Sequence, residues 1–161
     1  MTMFHAQPYS TEYQGFYFES AEQYNDNMKR LYKLGCEEVE IQFIDGDDHL
    51  CQLASSMNIS QCDIELWFDT LENMHNYETQ QIIFLLGLGY SIKDALDRYI
   101  EVSIFYGTKR DYAIEIIEEI YDIPQNLLFY IDYDAIARDM EINGEITEID
   151  YEIFITNPQE F

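Results

Sequence analysis

Closely spaced carboxylates are the side chains of this sequence best suited to chemistry. Residues 130–150 read YIDYDAIARDMEINGEITEID, with seven acids and a single basic residue, Arg138. The acids are Asp132, Asp134, Asp139, Glu141, Glu145, Glu148 and Asp150, and Glu152 follows just beyond them. Such a cluster would suit a metal ion, a catalytic acid–base pair, or a surface that binds a basic partner. Spacing and composition help to separate these three uses.

Part of this stretch matches the template of a calcium-binding loop. The matching residues, at positions 1, 3, 5, 6, 8 and 12 of an EF-hand loop, are Asp139, Glu141, Asn143, Gly144, Ile146 and Asp150. Position 12 is normally a bidentate Glu, however, and the following YEIFIT alternates like a strand where a second helix would begin. We therefore interpret the segment as a helix-to-strand turn at Asn143-Gly144, with calcium binding by 139–150 as the alternative.

The histidines and cysteines do not indicate a metal site, and the common catalytic motifs are absent. None of the histidines or cysteines has the spacing of metal ligands; they are His5, His49, His75, Cys36, Cys51 and Cys62. The odd number of cysteines is typical of free thiols in a reducing compartment. A glycine-rich phosphate loop, HExxH and GxSxG are absent. We predict no metal, no cofactor and no enzymatic activity.

The net charge narrows the class of partner. The chain has 32 acidic and 8 basic residues, a formal charge of −24, against a magnitude of roughly 2–8 for a small soluble domain. Direct binding to DNA or to anionic lipid needs basic residues and is excluded by this balance. A hydrophobic content of 47% indicates a folded chain and not a disordered acidic tail. The charge predicts a basic partner, with a salt-adapted acidic surface as the alternative.

The sequence also predicts the compartment. The first residues, MTMFHAQPYSTEY, lack the charged start and apolar run of a signal peptide. No apolar stretch approaches the roughly 18–20 residues that span a bilayer. We expect a cytoplasmic protein that does not associate with membranes.

The most informative helix is predicted over 109–123. At about 100° per residue, its acids fall within an arc of roughly 100°; they are Asp111, Glu115, Glu118, Glu119 and Asp122. Eleven residue steps span about 16.5 Å, so five charges average about 4 Å apart along the axis. One DNA strand carries a phosphate about every 3.4 Å. No basic residue follows Arg110 on this helix.

Two further acidic stripes are predicted on helices in the middle of the chain. Glu65, Asp69 and Glu72 are spaced i, i+4, i+7, and Asp94, Asp97 and Glu101 are spaced i, i+3, i+7. A single stripe of this kind is usually just the solvated face of a helix. Several lysine-poor stripes on one chain favour a surface that resembles DNA phosphates.

Start and stop signals place these acids on an α+β fold. After a loose N-terminus containing Pro8, we predict a short strand at 13–18 and a helix opened by Ser20 and closed by Gly35. A strand at 37–43 follows, then helices capped by Ser60 and Ser91. A strand at 102–107, the helix opened by Thr108, a helix at 133–140 and a strand at 145–156 complete the chain. We expect an elongated chain of small subdomains: an α+β unit over 1–58, a helical unit over 59–102 and an α+β unit over 103–161.

One segment resembles the ArdA antirestriction family. LLFYIDYDAIARDMEINGEI, residues 127–146, is similar to the family's carboxy-terminal YIDYxAxARD segment, and FYFESAEQY, EIQFIDGD and WFDTLE resemble upstream parts. The matching positions are Tyr130, Ile131, Asp132, Tyr133, Asp134, Ala137, Arg138 and Asp139. Within a helix, Asp134 and Arg138 would be i,i+4 partners.

The resemblance implies an elongated protein of three small domains, commonly dimeric and carried by mobile elements. It implies a mimic of bent DNA that occupies the DNA-binding groove of type I restriction–modification enzymes and blocks restriction. We accordingly expect Asp132, Asp134 and Asp139 to bind the partner together with the three acidic stripes. The alternatives are an inhibitor of another DNA-directed defence system, an acidic scaffold, and the calcium-binding interaction protein described above.

Overall fold

The computed structural model describes residues 1–161, which form eight α-helices and two three-stranded antiparallel sheets. The strands are β1 Met3–Pro8, β2 Phe16–Phe18, β3 Val39–Asp45, β4 Ile104–Tyr106, β5 Thr147–Asp150 and β6 Ile153–Ile155. The helices are α1 Ala21–Lys33, α2 Asp48–Ser56, α3 Ile64–Asp69, α4 Asn76–Gly87, α5 Ile92–Arg98, α6 Lys109–Ile120, α7 Gln125–Leu128 and α8 Tyr133–Ile142. The predicted α+β class is confirmed.

The chain divides into two compact units, Met1–Ala95 and Leu96–Phe161, with the boundary inside α5. A division into three subdomains at 58 and 102 stays a prediction.

The first unit is built on the sheet β2-β1-β3. The expectation of a loose N-terminus is wrong, because residues 3–8 form the central strand of this sheet. Phe4 and Ala6 are fully buried on its inner face. The ring of Phe4 lies 5.1 Å from that of Trp67 and 5.6 Å from that of Phe18, centroid to centroid. Burial of each such side chain contributes about 1.5–3 kcal/mol to the free energy of folding. This aromatic cluster therefore holds the sheet against α3.

Local signals set the start and end of α1 as predicted. The Ser20 hydroxyl accepts a hydrogen bond from the backbone N–H of Gln23, 3.2 Å away. Gly35 follows the helix with φ of +90°, a conformation that a side chain would disfavour. Further along the unit, α2 packs against α4.

The second unit combines the sheet β4-β6-β5 with the helix pair α6 and α8. Phe154 and Ile155 of the central strand β6 are buried. The single strand expected at 145–156 is instead the hairpin of β5 and β6, which turns at Tyr151 and Glu152. Glu152 adopts a φ of +56° in this turn.

The helix predicted over 109–123 ends earlier, at Ile120. Tyr121 is already extended, with φ of −118° and ψ of 131°. A proline ring clashes with the carbonyl of the residue four positions before it, so Pro124 cannot belong to a helix that continues through Ile120. Asp122 therefore lies outside α6.

Candidate partner-binding surface

The start of α6 is fixed by a reciprocal capping box. The Thr108 hydroxyl accepts a hydrogen bond from the backbone N–H of Asp111, and the Asp111 carboxylate accepts one from the backbone N–H of Thr108, each at 3.1 Å. The same carboxylate accepts a bond from the Thr108 hydroxyl at 2.5 Å. The hydroxyl bond and then the backbone bond hold the pKa of Asp111 below its ordinary value. This acid therefore helps to fix the helix start.

Four acids line the exposed face of α6. Asp111, Glu115, Glu118 and Glu119 are all exposed, whereas Ala113 on the opposite face is fully buried. Eight residue steps separate the first and last acid, about 12 Å along the axis, so the spacing still averages about 4 Å. We call Glu115, Glu118 and Glu119 the α6 stripe, because these three take no part in the helix cap.

Both basic residues of α6 are paired with α8. The ammonium group of Lys109 lies 2.6 Å from the Glu141 carboxylate, and Nε of Arg110 lies 3.4 Å from the Asp134 carboxylate. Asp134 thus pairs with Arg110, where the sequence had suggested Arg138. The ion pairs of the chain do not include any member of the α6 stripe. The stripe therefore stays uncompensated.

The negative potential beside the stripe affects a neighbouring side chain. The pKa of Tyr112 is raised, first by burial of its ring, and further by the negative charges of Glu115, Glu145 and Glu119. A hydrogen bond with Thr156 opposes this rise. Glu145, which follows α8, thus adds to the same negative region.

The motif at 130–139 has largely structural contacts. The Asp132 carboxylate accepts a hydrogen bond from the backbone N–H of Ala135 at 3.0 Å, which caps α8. Tyr133 and Ala137 are buried, and the Arg110 guanidinium lies 5.9 Å from the centre of the Tyr133 ring. Asp139 is exposed. The motif therefore shapes the start of α8 and its contact with α6.

A family model described as "Antirestriction protein (ArdA)" matches residues 5–154. The chain belongs to the ArdA antirestriction family. The family resemblance of the sequence is thereby confirmed over most of its length, and antirestriction activity implies an interaction with restriction enzymes. No curated protein sequence matches the chain. No helix has both the length and the apolar character needed to cross a bilayer.

In this ArdA family member the stripe predicted at 65–72 does not continue along one helix. α3 ends at Asp69, and Glu72 lies in the 3-10 turn Leu71–Asn73. Its side chain is only 18% exposed and accepts a hydrogen bond from the backbone N–H of Thr2 at 2.6 Å. Glu65 accepts a bond from the Asn25 side-chain amide, also at 2.6 Å. The prediction of one helix through all three acids is wrong at Glu72, whereas Glu65 and Asp69 both lie on α3 as expected. The role of the three acids in partner binding stays a prediction.

The stripe predicted at 94–101 is interrupted in the same way. α5 ends at Arg98, and Glu101 lies in the 3-10 turn Tyr99–Glu101. Its carboxylate lies 3.0 Å from the Arg98 guanidinium. Asp94 accepts a hydrogen bond from the Ser91 hydroxyl at 2.6 Å, as part of the predicted cap. Asp97 is exposed. Partner binding by these acids also stays a prediction.

The geometry of a calcium loop is not formed at 139–150. Asp139 and Glu141 belong to α8, and Asp150 ends β5. The Glu141 carboxylate is already bound to Lys109, and the Asn143 amide donates to Glu145 at 3.4 Å. No group of three or more His, Cys, Asp or Glu side chains is placed to hold a metal ion. The helix-to-strand interpretation agrees with these positions.

Sequence reasoning missed the pairing between α6 and α8. A signal was present, since Asp134 and Glu141 are seven residues apart and so lie on one face of α8, two turns from each other. Two adjacent basic residues, Lys109 and Arg110, lie at the start of the preceding long helix. Only the packing of the two helices shows that these four charges meet.

Proposed function

We propose that this ArdA family member inhibits type I restriction–modification enzymes by imitating DNA, with its carboxylates in the basic groove that normally holds the duplex. The observation that supports this function best is the α6 stripe, an exposed row of Glu115, Glu118 and Glu119 without basic partners. Its axial spacing, together with Asp111, is about 4 Å, close to the roughly 3.4 Å per phosphate of one DNA strand.

Fixed geometry supports the same function. The capping box at Thr108 and the two ion pairs to α8 hold α6 at one end, before the partner is met. Charges that are already in place lose less conformational entropy on binding. Such an inhibitor also benefits from the electrostatic attraction that the enzyme uses for DNA, and so associates fast at low salt.

A homodimer, a cytoplasmic location and contributions from Asp132, Asp134 and Asp139 belong to the same proposal. Restriction enzymes act on DNA, so the inhibitor has to meet them in the cytoplasm. Sedimentation equilibrium on the purified protein measures the oligomeric state directly; a monomer at all concentrations would remove the dimer and leave the inhibition untouched.

The experiment is competition for a type I methyltransferase. A fluorescent duplex bound to the enzyme is titrated with the wild-type protein and with a triple variant, Glu115→Gln, Glu118→Gln and Glu119→Gln. Exposed charge pairs contribute about 0.2–1 kcal/mol each, so loss of three should weaken competition roughly 3- to 150-fold.

A matched control separates position from net charge. Glu12, Glu37 and Glu38 are exposed, lie in the first unit outside the predicted stripes, and are changed to Gln together. This variant loses the same charge and should compete within about twofold of wild type. Equal losses in both variants would show that only net charge matters. If the wild type displaces no DNA from several type I enzymes but does so from another DNA-directed enzyme, the target is wrong.

A further inference from the structure

A second surface feature lies next to the α6 stripe. Between the end of α6 and the start of α8, residues 120–130 expose five large apolar side chains. These are Ile120, Tyr121, Leu127, Phe129 and Tyr130, with exposed fractions of 64%, 59%, 48%, 94% and 85%. An aromatic side chain presents about 150–250 Å² when exposed. The largest apolar patch of a monomeric protein, on the order of a few hundred Å², is often an interaction site.

The backbone holds this apolar segment in place. Within it, α7 is a single helical turn, started by a hydrogen bond from the Leu127 N–H to the Pro124 carbonyl at 2.8 Å. The Tyr130 N–H then donates to the Leu127 carbonyl at 3.0 Å. α8 begins three residues after Tyr130, with Asp132 as its cap. Phe129 and Tyr130 therefore project from hydrogen-bonded turns, which lowers the entropy lost when a partner binds them.

The charges around the segment determine which partner fits. Residues 111–137 contain seven acids and no basic residue. Glu118, Glu119 and Asp122 come directly before or within the apolar segment, and all three are exposed. An isologous contact between two copies would bring these carboxylates together with their equivalents, which is unfavourable. A protein surface with basic side chains around an apolar recess would satisfy both features.

We propose that residues 120–130 form an apolar anchor that binds the target enzyme at the margin of its basic DNA groove. This inference rests on the proposed function and adds to it a contact that DNA itself cannot make. A phosphate mimic without such a contact would compete only through charge, and its affinity would fall steeply with salt. The anchor supplies a component of affinity that salt does not screen.

Salt dependence separates the anchor from the stripe. Binding of the full chain to DNA-free type I methyltransferase is measured from 50 to 500 mM NaCl, by calorimetry or anisotropy. For Phe129→Ser with Tyr130→Ser, Kd should rise about tenfold or more at every salt concentration, as for loss of an interface hot spot. The slope of log Kd against log salt should stay as in wild type. Glu118→Gln with Glu119→Gln should instead make that slope shallower.

Matched controls make the result specific. Tyr9 and Ile100 are 70% and 75% exposed and lie outside the segment, so Tyr9→Ser with Ile100→Ser should leave Kd unchanged. Circular dichroism checks that the anchor variant retains the wild-type helix content. A change of Phe129 and Tyr130 to Leu keeps apolar area and should restore much of the affinity, which a folding defect would not explain.

Other outcomes overturn the anchor. An unchanged Kd in the variant Phe129→Ser with Tyr130→Ser would exclude the anchor. If the same change converted a wild-type dimer into a monomer, the segment would bind a second copy of the chain and not the target enzyme. The outcomes also distinguish the two proposals. If the variant binds weakly but wild type does not displace DNA, the anchor stands and DNA imitation fails; if both displace DNA equally, the anchor alone fails.

Discussion

Neutralising Glu115 should make the protein more stable and a weaker inhibitor at the same time. Glu115 lies in the middle of α6, one turn after Asp111 and one turn before Glu118 and Glu119. All four side chains are exposed, and the helix has no basic residue beyond Arg110 to offset them. Glutamine has nearly the same size and helix propensity as glutamate. The change Glu115→Gln therefore removes three repulsive like-charge pairs and little else.

The magnitude follows from the geometry of the helix. Like-charge pairs at i,i+3 and i,i+4 destabilise a helix by about 0.2–0.5 kcal/mol each. Removal of three pairs should raise the free energy of unfolding by roughly 0.6–1.5 kcal/mol. For a chain of this length, each kcal/mol shifts Tm by about 2–4 °C, so the rise should be roughly 1–6 °C.

The assay has to report on the second unit. Trp67, the single tryptophan, lies in the first unit, so its fluorescence does not report directly on α6. Hydrogen exchange of the α6 amides, followed by NMR, measures the local free energy of opening directly. Protection factors should increase for Glu115→Gln at low salt, and the gain should shrink in 1 M NaCl, where the Debye length is about 3 Å.

Glu22→Gln is a control of the opposite sign. Glu22 lies in the first turn of α1, near the positive end of that helix dipole. The pKa of Lys29 is raised mainly by its hydrogen bond and ion pair with Asp26, and the charge of Glu22 adds to this rise. Loss of the Glu22 charge should lower stability by about 0.3–1 kcal/mol, offset in part by about 0.2–0.5 kcal/mol from relief of its i,i+4 repulsion with Asp26. If Glu115→Gln also lowers stability at low salt, or if its gain is as large in 1 M NaCl, the carboxylates of α6 do not repel one another.

Three other expectations concern single side chains. Burial, with smaller contributions from nearby ionisable groups, raises the pKa of Tyr24 well above its ordinary value near 10. Stability should be full below pH 10 and fall above it, where only the unfolded chain readily ionises; urea unfolding at pH 8–11 should show a weaker fall for Tyr24→Phe. Two thiols, Cys51 and Cys62, should react with Ellman's reagent in the native protein, and the buried Cys36 only after unfolding. Thr108→Ala should cost about 1 kcal/mol through loss of the α6 cap, measured by exchange of the first α6 amides.

Local chemistry explains which parts of the fold could be predicted. Ser20, Ser91 and Thr108 each mark a helix start because a short hydroxyl side chain satisfies free N–H groups a few residues away. These contacts span three residues, so the sequence alone contains the information. The alternation of apolar and polar residues in the strand predicted at 37–43 likewise matches the burial in β3, where Val39 and Ile41 are buried and Glu40 is exposed.

Long-range contacts decided the parts that could not be predicted. β1 is central because it pairs with β3, some 35 residues away, and its own pattern is short and ends at Pro8. Glu101 leaves the helical path where its carbonyl accepts a hydrogen bond from the Asn157 amide at 2.8 Å. Glu72 turns toward the backbone of Thr2. Apolar and acidic periodicity continues past the ends of α3 and α5, so periodicity alone places both helix ends too late.

These contacts also separate acids that hold the fold from acids that remain available to a partner. Several of the predicted binding acids are engaged inside the molecule: Asp111 and Asp132 cap helices, Asp134 and Glu101 face arginines, and Glu72 is largely buried. The net charge does not distinguish these engaged acids from the acids that are free to bind a partner. A ligand groove, however, gains most from charges that have no partner before binding, because no existing contact must be broken. The α6 stripe meets this condition because Lys109 and Arg110 pair with α8 and leave it uncompensated. The self-repulsion that makes Glu115 unfavourable for folding is therefore the same property that suits this helix to a basic groove.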